Sequence, residues 1–397
     1  MPIRDFAALI APISPEEFFR DTWEKRPLAI RRGDRDYYGD LFSVRDVDGV
    51  IAFTQPRHSE LRVIKKDAPP REATTAARLG REEAPDLNKL YAAYRDGYTI
   101  NVSNLQERWA PLAALCGNLE SFLGHPTGAN MYLTPRDAQG FAPHFDTHDV
   151  FIVQTHGEKT WRLYEGPQLP LDVQGTSGSV SSLGALIDEV HLDAGDLLYI
   201  PRGVVHEART STSSSLHVTV GIFVFRWVDL IGSALTSLAR GDLRFREALP
   251  PGYLHRAELL DPMQKRLQEM LASAAASVES ADAVDHLIGL LIAPRAPRPD
   301  GHFEQLERAE TIDLDTMLAR RAGMICRIAA QDGSASISFP GGSLSGPRFI
   351  EPALRFIAAA EAFRVRELPD GLDDDAKCTL ARRLLGEGLL TIIGADE

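Results

Sequence analysis

The stretch Gly140-Phe-Ala-Pro-His144-Phe-Asp146-Thr-His148 and its sequel Gly195-Asp-Leu-Leu-Tyr-Ile-Pro201-Arg-Gly203-Val-Val-His206 decide how this chain is read. In an extended strand, residues two apart face the same side, so His144 and Asp146 point together. His148 joins them if the strand stays regular. Sixty residues after Asp146, a turn shaped by Pro201 and Gly203 returns His206 toward the same interior. Two imidazoles and one carboxylate in this order are the donor set of a facial triad. Such a triad leaves open positions on a non-haem Fe(II). Each part alone is weak, because His-x-Asp is frequent by chance and Gly-Pro-Gly-His turns occur without a catalytic metal. Their combination points to metal. His156, His191 and His217 are less well placed as ligands.

Fe(II) with open positions calls for a co-substrate that chelates it and supplies electrons, and a 2-oxo acid does both. Its far carboxylate needs a cation inside the barrel. Lys159 is the expected cation: it follows an expected turn at Gly157-Glu158 and shares a strand face with Trp161. Asn130, Tyr132 and Thr219 lie on strands expected to flank the site. The bland reading of each is an ordinary strand residue.

Outward from this centre the apolar pattern has period two from Gly128 to Phe225. Short runs are separated by Gly- and Pro-containing turns. That predicts a mainly β core, a barrel or double-sheet jelly roll of the cupin kind. Upstream, Ser14-Pro15-Glu16-Glu17 predicts a helix start, with the helix carrying Phe18, Phe19 and Trp23. Residues 55–88 hold four prolines and read as a loop or loose hairpin. Gly175–Ser182 also reads as a loop. Downstream, helices are expected at 229–239, 261–278 and 283–292, the second capped by Asp261. A Pro-rich linker follows. Beyond it a hairpin, two helices and a strand suggest a winged helix. From residue 300 onward there are 11 Lys or Arg against 17 Asp or Glu, which argues against DNA recognition there.

The formal charge of −13 excludes a general nucleic-acid binder and suits a basic partner. Three scattered cysteines read as reduced thiols in a cytoplasmic protein. No apolar run reaches the length of a membrane span.

These motifs resemble the JmjC-type cupin 2-oxoglutarate oxygenases, and among them the ribosomal oxygenases. Phe18 to Leu28 is similar to the family's opening, and Asn130-Met-Tyr132-Leu-Thr134-Pro135 to the strand before its metal motif. The resemblance implies iron ligands at His144, Asp146 and His206. It implies Lys159 as the holder of the co-substrate's 5-carboxylate, and Asn130, Tyr132 and Thr219 as lining of the co-substrate pocket. It further implies Fe(II), 2-oxoglutarate and O2 as the reacting set, and a homodimer. The substrate it implies is a basic protein, such as a ribosomal protein hydroxylated on Arg or His. The expected division is 1–95 lead-in, 96–227 catalytic domain, 228–292 helical dimerisation segment and 302–397 winged-helix-like domain. A small-molecule oxygenase and a non-catalytic cupin scaffold are the alternatives. A demethylase has less support, since nothing suggests an aromatic cage.

Overall fold

The structure, a computed structural model, describes residues 5–75, 84–170, 182–293, 295–296, 301–331 and 333–394. Most of the Gly175–Ser182 stretch lies outside them. The chain forms two compact units, residues 1–224 and 225–397.

The first unit begins with α1 (Phe6–Ile10) and α2 (Pro15–Asp21). Ser14 caps α2 by accepting from the Glu17 amide at 3.1 Å. The helix ends at Asp21, short of Trp23. Then come β1 (Leu28–Ile30), α3 (Val44–Thr54), β2 (Leu61–Ile64), a short ladder of β3 (Thr74–Thr75) and β4 (Ala84–Pro85), α4 (Leu87–Arg95) and β5 (Thr99–Val102). The proline-rich region therefore does more than loop, since β2 forms the sheet's edge beside β5. Helix α5 (Ala110–Leu123) leads into the core strands: β6 (Thr127–Thr134), β7 (Asp149–Tyr164), β8 (Leu186–Asp193), β9 (Leu197–Ile200), β10 (Val205–Arg209) and β11 (Ser215–Ile222).

The main sheet has the order β1-β9-β7-β11-β6-β5-β2, and the second half of β7 pairs with β8 and β10. One strand of 16 residues thus belongs to both sheets. The expected turn at Gly157-Glu158 is instead a bend within this strand. Gly157 has φ +66°, and a Cβ there would fall 1.7 Å from the Ser214 carbonyl oxygen. The register against β11 slips at the neighbouring Leu216/His217 step. Such a bulge exchanges the two faces of a strand. Before the bend Val150 and Ile152 face the space between the sheets, and after it Trp161 and Leu163 do, packed with Val190, Leu192, Leu198 and Ile200.

The opposite face of the main sheet carries the larger core. Phe151, Val153, Leu197 and Tyr199 pack there with Phe6, Phe18, Leu112 and Leu115 from the helices. The N-terminal segment is therefore part of the same hydrophobic body as the strands. Burial of this many apolar side chains supplies the main drive for folding. These two faces explain the near-continuous apolar run of β7's first half, which is covered on both sides.

The second unit contains α6 (Trp227–Gly241), α7 (Leu260–Ser277) and α8 (Ser280–Ile292), then α9 (His302–Glu307), β12 (Met317–Arg320), β13 (Arg327–Gln331), β14 (Ser334–Phe339), β15 (Gly342–Pro347), α10 (Glu351–Ala359), β16 (Ala362–Arg364), α11 (Asp374–Gly386) and β17 (Leu390–Ile392). Asp261 is not the cap of α7: the helix starts at Leu260, with Leu259 at the cap position, because a turn of 3-10 helix over Ala257–Leu259 feeds straight into it. The β13–β14–β15 meander and the β16–β12–β17 sheet form separate three-stranded sheets, sharing one core with α10 and α11.

Candidate metal and carboxylate site

Along β5, β6 and β11 the inner face of the main sheet is polar where the opposite face is apolar. Register explains this. Asn101 on β5 sits opposite Tyr132 on β6, Tyr132 opposite His217 on β11, and Asn130 opposite Thr219. Their neighbours Ala129, Met131, Val218 and Val220 point the other way into the helical core. Alternation thus delivers one polar wall from three adjacent strands.

His144 and Asp146 do not sit in a regular strand. The segment between β6 and β7 is irregular, and its one strand-like pairing is an isolated bridge from His144 to His206. There the His206 amide donates to the His144 carbonyl at 2.7 Å, and the His144 amide donates back at 3.1 Å. The Gly203 amide donates to the Asp146 carbonyl at 2.9 Å. These bonds join the two ligand-bearing segments at the backbone. His144, Asp146 and His206 each bring a ligand atom within 4.8 Å of the other two. His206 Nε2 lies 3.7 Å from Asp146 Oδ2.

The imidazoles are oriented by their own backbone. His144 Nδ1 lies 3.0 Å from the Ala142 carbonyl, and His206 Nδ1 lies 3.1 Å from the Val204 carbonyl. A carbonyl can only accept, so each Nδ1 carries the proton and each Nε2 keeps its lone pair for a metal. Burial, reinforced by the adjacent His144, holds the His206 imidazole below its ordinary range and hence neutral. For Asp146, burial works to raise the carboxyl, but its electrostatic coupling to His206, His148 and His144 outweighs it and draws the group below its ordinary range. Two imidazoles and a carboxylate fit a divalent first-row metal.

His148 does not join the three. Its ring stacks on Phe223 with centroids 4.8 Å apart. A different group, Glu158, His191 and Asp193 on the outer strands, also brings ligand atoms within 4.8 Å of one another. Only His191 of these is exposed, and none of the three lines this cavity.

Lys159 is the cation of the site. It is 5% exposed. Its ammonium donates to Thr134 Oγ1 at 3.0 Å and lies 5.8 Å from the centre of the Trp161 ring. Thr134 is also within 3.1 Å of Thr99 Oγ1. No carboxylate pairs with Lys159 among the described residues, so desolvation alone pushes it down to about 7. His217, stacked on Tyr132 at 4.9 Å, is driven well below its ordinary range by burial and then by the Lys159 charge. Tyr132 is pushed up to about 12 by desolvation and then by the Asp146 charge, against hydrogen bonds with the side chains of Thr219 and Asn130.

His144, Asp146, His206, Lys159, Asn130, Tyr132 and Thr219 all line one cavity of about 230 Å³. Sequence reasoning missed Thr134 as the hydroxyl that holds Lys159, and Thr99 and Asn101 as part of the wall. Period two alone could have found Thr134, which shares its strand face with Asn130 and Tyr132.

Fold and motif define the class. Residues 104–230 match the family described as JmjC domain, and the chain is a JmjC-domain protein of the cupin fold. Within that class it is ribosomal-oxygenase-like. It is 34% identical over 300 residues to ribosomal oxygenase 1 of Danio rerio, a match covering 71% of this chain and 54% of the relative. It is 32% identical over 308 residues to the bifunctional lysine-specific demethylase and histidyl-hydroxylase NO66 of Aedes aegypti, covering 72% and 47%. The chain thus spans about half the length of the curated relatives it matches. Among solved structures, Escherichia coli ribosomal oxygenase YcfD superposes with TM-score 0.57 at 19% identity over 96% of this chain and 98% of that one. YcfD has also been solved in complex with cobalt and 2-oxoglutarate; that structure matches at 18% identity and TM-score 0.57, over 96% and 99% of the two chains. At such identities these structures establish the fold.

Proposed function

We propose that this protein is an Fe(II)- and 2-oxoglutarate-dependent oxygenase that hydroxylates a side chain of a basic protein. A ribosomal protein, at Arg or His, is the first candidate. One observation carries the reading: the donor atoms of His144, Asp146 and His206 share one cavity with a buried lysine that has no carboxylate partner among the described residues. A buried cation without a counter-ion is costly, and an anionic ligand relieves that cost. Iron with its co-substrate and O2 would supply the oxidising chemistry.

The chain's own residues then have separate tasks. His144, Asp146 and His206 would hold the metal. Lys159, set by Thr134, receives the far carboxylate of the dicarboxylate. Tyr132, Asn130 and Thr219 hydrogen-bond within the cavity wall and fix its shape. A cobalt and 2-oxoglutarate complex of the similarly folded YcfD is consistent with this pairing of ligands. The acidic charge of −13 favours a basic polypeptide substrate. The helical segment 228–292 is proposed as the homodimer contact, with 302–397 an appended domain that does not read DNA. The lead-in 1–95 and catalytic region 96–227 complete the division, in a protein that works in the cytoplasm.

The test is anaerobic binding of Fe(II) and 2-oxoglutarate to the purified protein and to His144→Ala and Asp146→Ala. Both variants are expected to lose the metal and, with it, tight co-substrate binding. Unchanged binding in both would remove the site assignment. Intact-mass comparison of ribosomal proteins from cells with and without the gene then tests the substrate class. Absence of any protein lighter by one oxygen in the deletion strain would shift the substrate to a small molecule or peptide.

A further inference from the structure

Next to the segments that carry His144, Asp146 and His206, and outside the cavity wall, lies a charge cluster with a buried centre that none of the tasks above uses. Asp149 is fully buried and opens β7, three residues after Asp146. Arg202 is 7% exposed and lies in the turn four residues before His206. The Arg202 amide donates to Asp149 Oδ1 at 2.8 Å, and its guanidinium Nη1 donates to Asp149 Oδ2 at 3.1 Å. The same Nη1 is 2.6 Å from Glu24 Oε1. Glu24 follows α2 with φ 57°, an unfavourable backbone for a residue with a side chain. Its amide is held by the Tyr199 hydroxyl at 3.1 Å. Neither Asp149 nor Arg202 belongs to the cavity wall.

We propose that Arg202 is a positioning residue for the metal site, locking the two ligand-bearing segments to each other and to the N-terminal segment. The geometry supplies the reason. Asp146 and His206 stand on segments joined at the ligands by backbone hydrogen bonds, the His144–His206 bridge and the Gly203–Asp146 contact, and on the upstream side by Gln139 Nε2 donating to Glu207 Oε2 at 2.8 Å. The Asp149–Arg202 pair adds a buried side-chain tie on the other side of the ligands, three residues beyond Asp146 and four before His206. The backbone bonds set the spacing of the segments, and a charge-assisted tie beyond them resists hinging about that seam. Glu24 extends the lock to α2, so that the turn cannot swing away from the sheet. Removing one partner from such a buried pair leaves the other charge unpaired, and the segment shifts to solvate it. Partners beyond the ligands typically change metal affinity by about 10–100-fold.

The experiment rests on the metal-site reading above and uses the full chain with Co(II) as probe. Affinity is measured by calorimetry, the visible ligand-field spectrum reports geometry, and melting of the metal-free protein reports the fold. Arg202→Met, Asp149→Asn and Glu24→Gln are compared with Arg202→Lys and His144→Ala. The expected result is about 10–100-fold weaker Co(II) binding and an altered spectrum in Arg202→Met and Asp149→Asn. Glu24→Gln should show a smaller loss, and Arg202→Lys a partial recovery relative to Arg202→Met. A role in stability alone predicts a lower melting temperature with unchanged spectrum and affinity, and that result overturns the proposal. Should Arg202→Met fail to fold, Asp149→Asn and Glu24→Gln decide: weaker binding in both supports the lock, and wild-type binding in both overturns it. Loss of Co(II) in His144→Ala with wild-type binding in Arg202→Met removes the lock alone. Wild-type binding in His144→Ala removes the metal-site reading and the lock with it.

Discussion

In its proposed role, Lys159 makes the affinity for a dicarboxylate depend on pH in a calculable way. Desolvation brings its ammonium down to about 7 in the ligand-free protein, from an ordinary 10.5. A bound carboxylate favours the charged form and returns the pKa upward. Between those two values, binding must take up a proton that the free protein has released. The dissociation constant then rises about tenfold for each pH unit above 7. With a free pKa of about 7, binding weakens about tenfold from pH 6 to pH 8, and on the order of 100-fold by pH 9. The assay is calorimetric titration of the Co(II)-loaded protein with 2-oxoglutarate. Loading keeps the imidazole ligands neutral, and two buffers of different ionisation heat separate proton uptake from binding. Uptake of about 0.9 proton is expected at pH 8. Flat affinity from pH 6 to 9 with no proton uptake would refute the reasoning. The same shift has a consequence for stability. From pH 7 toward 10.5 the unfolded chain holds a proton that the folded chain has lost, so the ligand-free fold gains stability as pH rises through that window.

Three further outcomes follow from the described contacts. Thr134→Val removes the hydroxyl 3.0 Å from Lys159, and should weaken 2-oxoglutarate binding by about 1.5 kcal/mol, roughly tenfold, while moving the pH profile toward acid; calorimetry across pH checks both. Gly157→Ala forces a Cβ to within 1.7 Å of the Ser214 carbonyl at φ +66°, and should cost more than about 3 kcal/mol in urea unfolding. On α6, Trp227 is 79% and Ile231 57% exposed; if this face is the homodimer contact, Trp227→Glu with Ile231→Glu gives a monomer by light scattering, and an unchanged mass would locate the contact elsewhere.

Much of the site was legible because its determinants are local. His144-x-Asp146 and Gly203-x2-His206 are short spacings, and period two located β6 and β11 with Asn130, Tyr132 and Thr219 on one face. The partnership of Thr134 with Lys159 was not legible. Strands β6 and β7 are not neighbours, since β11 lies between them, and a contact across the barrel leaves no spacing signal. Gly157 was misread for a related reason. A glycine at positive φ is equally a turn and a bulge, and only the partner strands β8, β9, β10 and β11 show that β7 runs on. The bulge also explains how inward residues change from Val150 and Ile152 to Lys159 and Trp161, a change of parity that strict alternation forbids. The start of α7 went astray because Asp261-Pro262 is a strong local signal, overridden by a preceding turn already wound in the same sense. Residue types carry no information on such continuity.

The anchors of the two imidazoles are peptide carbonyls, those of Ala142 and Val204, each two positions upstream of the ring it holds. Neither anchor belongs to a side chain. No ordinary codon change can delete them, and neither gains or loses a proton in the physiological range. A substitution scan of this region would therefore pass over the groups that aim the ligands. It would register them only through backbone disturbances at neighbouring positions, above all a proline or glycine exchange. The aim of the proposed metal ligands is in this sense written in the path of the chain, and its hereditary record is the shape of two short bends.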